Sequence, residues 1–173
     1  MRNPEQREGL QNMIDYLNTI KSTSEMRMVE IGSYVGESTL MFANHFKEVV
    51  SVDPYVNNYD LSDMACSHAP FDKVYEQFIK NTLSIPNIKS IKETSQNAFS
   101  ILKEQQWDMV YIDGLHTFEG VSYDISHYKT IIKPGGFVCG HDYGWGNVRH
   151  AIGQLLDDKV DATFKDTSWA KQI

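Results

Sequence analysis

A chain of 173 residues, 41% hydrophobic and 23% charged, has material for one domain with a real core and too little for two. Its net charge of −7, with no basic stripe to displace counterions, argues against a nucleic-acid partner. No run approaches the ~18 apolar residues of a membrane span, the first residues lack a signal-peptide core, and Cys66 and Cys139 offer neither metal spacing nor a disulfide framework. The expectation is a reduced, cytoplasmic setting away from membranes.

Asn3 followed by Pro4 reads as an N-cap and first helical residue. Leu10, Met13, Ile14, Leu17 and Ile20 then recur at helical spacing, which predicts an opening helix within residues 1–25, packed beside the first strand. Met26 to Ile31 is that strand. After the turn Gly32-Ser33-Tyr34-Val35-Gly36, a helix buries Leu40, Ala43 and Phe46, and Val49 to Asp53 is strand two. Residues 55–70 are rich in Asn, Asp and Ser without a period, and read either as a lid or as a surface insertion. Phe71, Val74, Tyr75, Phe78, Ile79 and Leu83 make a helical stripe that ends before Pro86. Ile88 to Glu93 is a weak third strand, and Ser95-Gln96-Asn97 offers caps for a short helix carrying Phe99, Ile101 and Leu102.

Trp107 to Ile112 is a fourth strand ending at Asp113-Gly114. Phe118, Val121, Ile125, Tyr128 and Ile132 form the clearest helical pattern, terminated by Lys133-Pro134-Gly135-Gly136. Phe137 to Gly140 is strand five, running into His141-Asp142-Tyr143, and Val148, Ile152, Leu155 and Leu156 mark a last helix before a β-rich tail from Val160 to Ile173. Asp124, inside the fifth helical segment, reads as a solvated or capping residue without a role. Strands alternating with helices imply one α/β domain over residues 1–173, with a mostly parallel sheet covered on both faces.

The stretch from Met28 to Ser38 organises the rest. A buried strand that turns through glycines into a helix presents backbone amides to a ligand. Asp53, about twenty residues further on, stands where a ribose-binding carboxylate is expected. A dinucleotide fingerprint needs a middle glycine for close approach of a pyrophosphate. That glycine is missing between Gly32 and Gly36, and a bulky Tyr34 sits nearby. A nucleoside without phosphates, offering a carboxylate to the loop and Ser38, fits better. S-adenosylmethionine (SAM) is such a ligand.

The segment Glu30-Ile31-Gly32-Ser33-Tyr34-Val35-Gly36-Glu37-Ser38 resembles the first motif of class I SAM-dependent methyltransferases, the catechol-type O-methyltransferases in particular. The likeness continues through Asp53, Ser95-Gln96, Asp113 and Pro134-Gly135-Gly136. The segments Asp113-Gly114-Leu115-His116 and His141-Asp142-Tyr143 are similar to a related branch of small methyltransferase domains. The resemblance implies a Rossmann-like, doubly wound sheet of seven strands with a C-terminal antiparallel strand. It implies that Gly32, Ser33, Tyr34, Gly36 and Ser38 hold the methionine carboxylate, with Glu30 orienting the loop amides. Asp53 would take the ribose hydroxyls, Ser95 and Gln96 the adenine, and Asp113 the ammonium group.

Methyl transfer needs a positioned acceptor and a group that removes its proton. Asp113, His141 and Asp142 emerge from neighbouring strands and would suit a divalent cation. The catechol-type enzymes bind magnesium there with an Asp-Asn pair where this chain has His141-Asp142; imidazole is a softer ligand than magnesium favours, so beside magnesium, manganese, another metal or no metal all stay open. His116, three residues after Asp113 where those enzymes carry a catalytic lysine, and His141 are rival general bases. The implied activity is methylation of a small-molecule acceptor at oxygen, in an open cleft or with the help of a second subunit in a homodimer. A non-catalytic SAM-binding domain is the alternative, and a nicotinamide-dependent oxidoreductase is disfavoured by the missing glycine.

Overall fold

The computed structural model of the chain describes residues 2–61, 70–157 and 159–173. Much of the segment read as a lid or insertion, residues 62–69 with Cys66 and His68, lies outside the described residues. Six α-helices are described: α1 (Pro4–Ile20), α2 (Glu37–Ala43), α3 (Phe71–Thr82), α4 (Ser95–Leu102), α5 (Phe118–Tyr128) and α6 (Gly146–Leu155). The strands are β1 (Arg27–Ile31), β2 (Glu48–Val52), β3 (Ile88–Ile91), β4 (Trp107–Ile112), β5 (Ile132–Gly140), β6 (Ala162–Thr163) and β7 (Trp169–Gln172). They form one sheet in the order β3-β2-β1-β4-β5-β7-β6. The first five run parallel, β7 is antiparallel to β5, and β6 is antiparallel to β7. The doubly wound, seven-stranded sheet expected from the motifs is present.

Side chains that alternate along a strand feed two cores. In β1, Val29 and Ile31 pack with Ala98, Val121 and Ile125 from α4 and α5, while Met28 packs with Leu10, Leu17 and Phe42 from α1 and α2. Both faces are therefore covered by helices, which is why β4 is buried along its whole length and, Asp108 aside, is apolar throughout. The α1 start is a capping box: Gln6 N donates to Asn3 Oδ1 and Asn3 N donates to Gln6 Oε1, both at 2.9 Å.

The structure corrects the sequence reading in several places. Lys133 to Gly136 does not terminate a helix; α5 ends at Tyr128, a 3₁₀ turn over Lys129–Ile131 follows, and Ile132 already belongs to β5. The register steps from Trp107 opposite Ile132 to Met109 opposite Phe137, so residues 133–136 bulge from the ladder. Lys133 Nζ ties the bulge to Asp108 Oδ2 at 3.0 Å, and a Cβ on Gly136 would sit 2.5 Å from the Asp108 carbonyl. Thr94, not Ser95, caps α4 by accepting from Asn97 N. The stripes of α3 and α4 overshoot, since Leu83 and Ile101 are exposed. Asp124 is buried, not solvated.

Candidate active site

The register sets Ile31 opposite both Val52 and Ile112, and Ile112 opposite Gly140. Asp53, Gly32, Asp113 and His141 therefore follow the carboxyl ends of β2, β1, β4 and β5 side by side. The connections leave in opposite directions from β1, and open α/β sheets bind ligands at such a point. A cleft lies there, lined by Gly32, Asp53, Tyr59, Ser95, Gly114 and Leu115 among others.

Gly32 and Gly36 both adopt left-handed backbone, at φ +85° and +86°. A Cβ on Gly32 would fall 2.0 Å from the Asp113 carbonyl oxygen, so glycine is needed there for close packing as well as for conformation. Asp53 braces the turn: its Oδ2 accepts from Ser33 N (3.1 Å) and Tyr34 N (3.0 Å), and its Oδ1 from Tyr55 N (2.9 Å). Burial raises the Asp53 pKa, and the three amides work against that rise. Gly32 N donates to Val52 O and Gly36 N to Ser33 O. Ser38 Oγ donates to Glu30 Oε1 at 2.6 Å, and Thr39 Oγ1 donates to the other oxygen. Glu30 is fully buried, which lifts its pKa to about 7 against these two hydrogen bonds. The donors expected to receive a carboxylate are thus all committed to protein acceptors.

Beyond β4 and β5 stands a cluster of acids and imidazoles. His116 Nδ1 lies 2.8 Å from Asp60 Oδ2, and His116 N donates to the same oxygen at 2.9 Å. Its Nε2 is 2.8 Å from Asp142 Oδ2 but off the ring N–H axis, making an ion pair and no directed hydrogen bond. Burial opposes the charged imidazolium, yet Asp142, Asp113 and Asp60 outweigh it and hold the His116 pKa at about 9. His141 Nδ1 is 3.2 Å from Asp142 Oδ1 and 3.6 Å from Asp113 Oδ1, and its pKa is likewise raised by these acids against burial. Asp113, His141 and Asp142 each offer a ligand atom, all within 4.8 Å of one another. Two carboxylates and an imidazole at that spacing fit a divalent cation chemically. Arg2 Nη2 meanwhile sits 2.8 Å from Asp113 Oδ2.

Asp53, Ser95 and Gly32 line the cleft, and Asp113, His116, His141 and Asp142 converge beside it. Glu30 and Ser38 lie beneath the loop, bonded to each other. Tyr34 turns its ring outward against Phe71, and Gln96 is half-buried, accepting from Ser95 Oγ at 3.3 Å. Arg2, Tyr59, Asp60 and Asp166 were missed. Each arrives from a segment without periodicity or motif, and nothing local in the sequence marks them. Asp124 was passed over because it sits in a helix; its Oδ1 is buried without a hydrogen bond, beside Ser95, and burial raises its pKa to about 7.

Fold and cleft together define a nucleoside-cofactor domain of the class I methyltransferase type. The methyltransferase-domain family matches residues 29–143, from β1 to the end of the His-Asp-Tyr segment, and the chain belongs to that family of SAM-dependent enzymes. An uncharacterized protein of Acanthamoeba polyphaga mimivirus, R132, is 24% identical over 157 residues; the match covers 85% of this chain and 66% of that protein. Among solved structures, the N-methyltransferase NodS from Bradyrhizobium japonicum WM9 in complex with S-adenosyl-L-homocysteine is similar at TM-score 0.63 and 15% identity, over 98% of this chain and 88% of that one. CalS11, a TDP-rhamnose 3'-O-methyltransferase of calicheamicin biosynthesis, is similar at TM-score 0.62 and 14% identity, over 98% and 80%. Among the described residues no helix is long and apolar enough to cross a membrane.

Proposed function

We propose that the chain transfers the methyl group of SAM to an oxygen of a small-molecule acceptor. The observation that carries this reading is the convergence of Asp113, His116, His141 and Asp142 directly beside the nucleoside cleft. In the reaction an acceptor oxygen attacks the methyl carbon in line, the carbon–sulfur bond breaks toward sulfur, and the hydroxyl proton leaves to an imidazole. His116 and His141 are the groups in place for that proton. The acids around His116 keep it charged at neutral pH. The sulfonium and ammonium of a bound cofactor oppose that charge and return the ring toward its ordinary value, at which it accepts a proton. A divalent cation, if one is used, would be held by Asp113, His141 and Asp142 and would polarise the acceptor oxygen.

O-methyltransferases and N-methyltransferases both occur among the structural neighbours. Oxygen is favoured here because the imidazoles suit the removal of a hydroxyl proton, which a neutral amine does not need to lose before attack. The acceptor then sits in an open cleft, or in one that a second copy of the chain completes. Thermal shift with SAM, S-adenosylhomocysteine and NAD tests the cofactor, because a ligand that binds only the folded state raises its stability. Both sulfur nucleosides are expected to stabilise the protein. Stabilisation by NAD alone would overturn the reading.

A further inference from the structure

The turn from Phe164 to Ser168, between β6 and β7, is clipped to the segment that carries His141. Thr167 O accepts the amide of Tyr143 at 3.0 Å, and Trp169 Nε1 donates to His141 O at 3.1 Å. Thr167 is held at φ +70°, a conformation that a β-branched residue adopts only where its surroundings impose it. A Cβ on Gly9 would fall 2.4 Å from Asp166 N, so α1 closes directly over the turn.

What the turn encloses is a carboxylate. The Asp166 side chain has no exposed surface. Its Oδ1 accepts from Ser168 N at 3.1 Å and its Oδ2 from Ser168 Oγ at 2.8 Å. Ser168 has one hydroxyl hydrogen and gives it to Asp166, so Tyr111 OH, 3.1 Å away, donates to Ser168 Oγ in turn. These two hydroxyls fix Oδ2 in place. The same Oδ2 faces Arg2 Nη1 at 3.7 Å and His141 Nε2 at 3.9 Å, and both nitrogens are buried without a hydrogen bond. Arg2 reaches a second acid, because its Nη2 donates to Asp113. Nε2 of His141 faces Asp166, while Asp142 and Asp113 stand off Nδ1, on the other edge of the ring.

We infer that Asp166 is a positioning residue that holds the Nε2–H edge of His141 and leaves Nδ1 as the edge that works in the site. This rests on the methyltransferase reading above and adds to it the atom of His141 that acts. A ring N–H enclosed without an acceptor is costly, and an ionised carboxylate only accepts, so the hydrogen of this contact sits on Nε2. The ring then takes a proton, or holds a cation, on Nδ1 alone, toward Asp113 and Asp142. Hydrogen bonds of this kind are long without substrate and tighten around it, so 3.9 Å is a gap that the reacting complex closes. Asp166 thus stands to His141 as Asp60 stands to His116, whose Nδ1 it meets at 2.8 Å. The two imidazoles turn their remaining edges toward the same residue, Asp142.

The test is NMR of the full chain labelled with 15N-histidine. His141 Nε2 is expected to carry a proton protected from exchange with water, its signals assigned by their absence from His141→Gln. Asp166→Asn keeps the size of the side chain and removes its charge. The Nε2 proton should then exchange about tenfold faster or more, as the loss of a charge-assisted hydrogen bond requires. Ser168→Ala, which only frees the carboxylate, should give part of that effect. The signals of His45 and His127 stay in place in both variants, which separates a local change from loss of the fold. A wild-type ring with its proton on Nδ1 and none on Nε2, or an Nε2 proton that exchanges equally fast in the wild type and both variants, overturns the inference. Wild-type protein that S-adenosylhomocysteine does not stabilise overturns the cofactor reading instead, whatever the ring measurement gives.

Discussion

Asp60 Oδ2 accepts the backbone amide of His116 at 2.9 Å and stands 2.8 Å from the Nδ1 of the same residue. An ionised carboxylate can only accept, so Nδ1 carries a proton and Nε2 is turned toward Asp142 and Asp113. One acid thus fixes both the backbone and the tautomer of the candidate base. Asp60→Asn should lower the His116 pKa from about 9, because one of the charges that stabilise the imidazolium is gone. Histidine NMR titration reads this directly, and an unmoved midpoint would remove Asp60 from the account. His116→Ala should cut turnover by roughly 10²–10⁴, with S-adenosylhomocysteine still bound.

The β1 turn gives a stability prediction. Gly32→Ala adds a Cβ 2.0 Å from the Asp113 carbonyl oxygen at φ +85°, so backbone must move. A loss of about 3 kcal/mol or more is expected. Gly144 is the control, since nothing lies within 4 Å of a Cβ there; its alanine variant should stay within about 0.5 kcal/mol. Urea midpoints of the two proteins decide it, and equal midpoints would mean that the turn adapts freely.

Asp124 and Glu30 make stability depend on pH. Each is buried with its pKa raised by desolvation to about 7. Between the unfolded value near ~4 and 7 the folded state holds more protons than the unfolded one. Stability is therefore greatest below that window, falls as pH rises through it, and is flat above. Asp124→Asn removes one of the two groups, so the slope of unfolding free energy between pH 4 and 7 should flatten. A slope identical to the wild type would show that the Asp124 carboxyl is not strained by its burial.

What the sequence disclosed and what it hid follow from one distinction. Strand ends are local: an apolar run that stops at Asp53, Asp113 or His141 places each residue at the carboxyl edge without knowledge of the partners. The site was legible to that extent. Arg2 and Asp60 reach Asp113 and His116 across separations of 111 and 56 residues, and such long-range pairs leave no local pattern. Asp53 shows the limit differently. Its position was readable, but its three amide partners depend on a turn whose curvature only the folded backbone supplies. The bulge at Lys133 to Gly136 was misread because glycines stop a helix and bend a strand with the same residues.

Trp145 argues for where the acceptor sits. It precedes α6, its ring centroid lies 4.7 Å from that of His116 at a tilt of 45°, and it is 39% exposed. One side of the indole thus covers the candidate base while the rest faces solvent, next to the acids after β4 and β5. It does not line the nucleoside cleft. A planar wall there holds an acceptor by stacking, and losing such contact costs about 0.5–1.5 kcal/mol, close to tenfold in binding at the upper end. Trp145→Ala should therefore raise the acceptor KM by up to about tenfold, with S-adenosylhomocysteine affinity unchanged. If cofactor affinity drops in step with the acceptor KM, Trp145 belongs to the cofactor site, and the acceptor must approach from another side of His116.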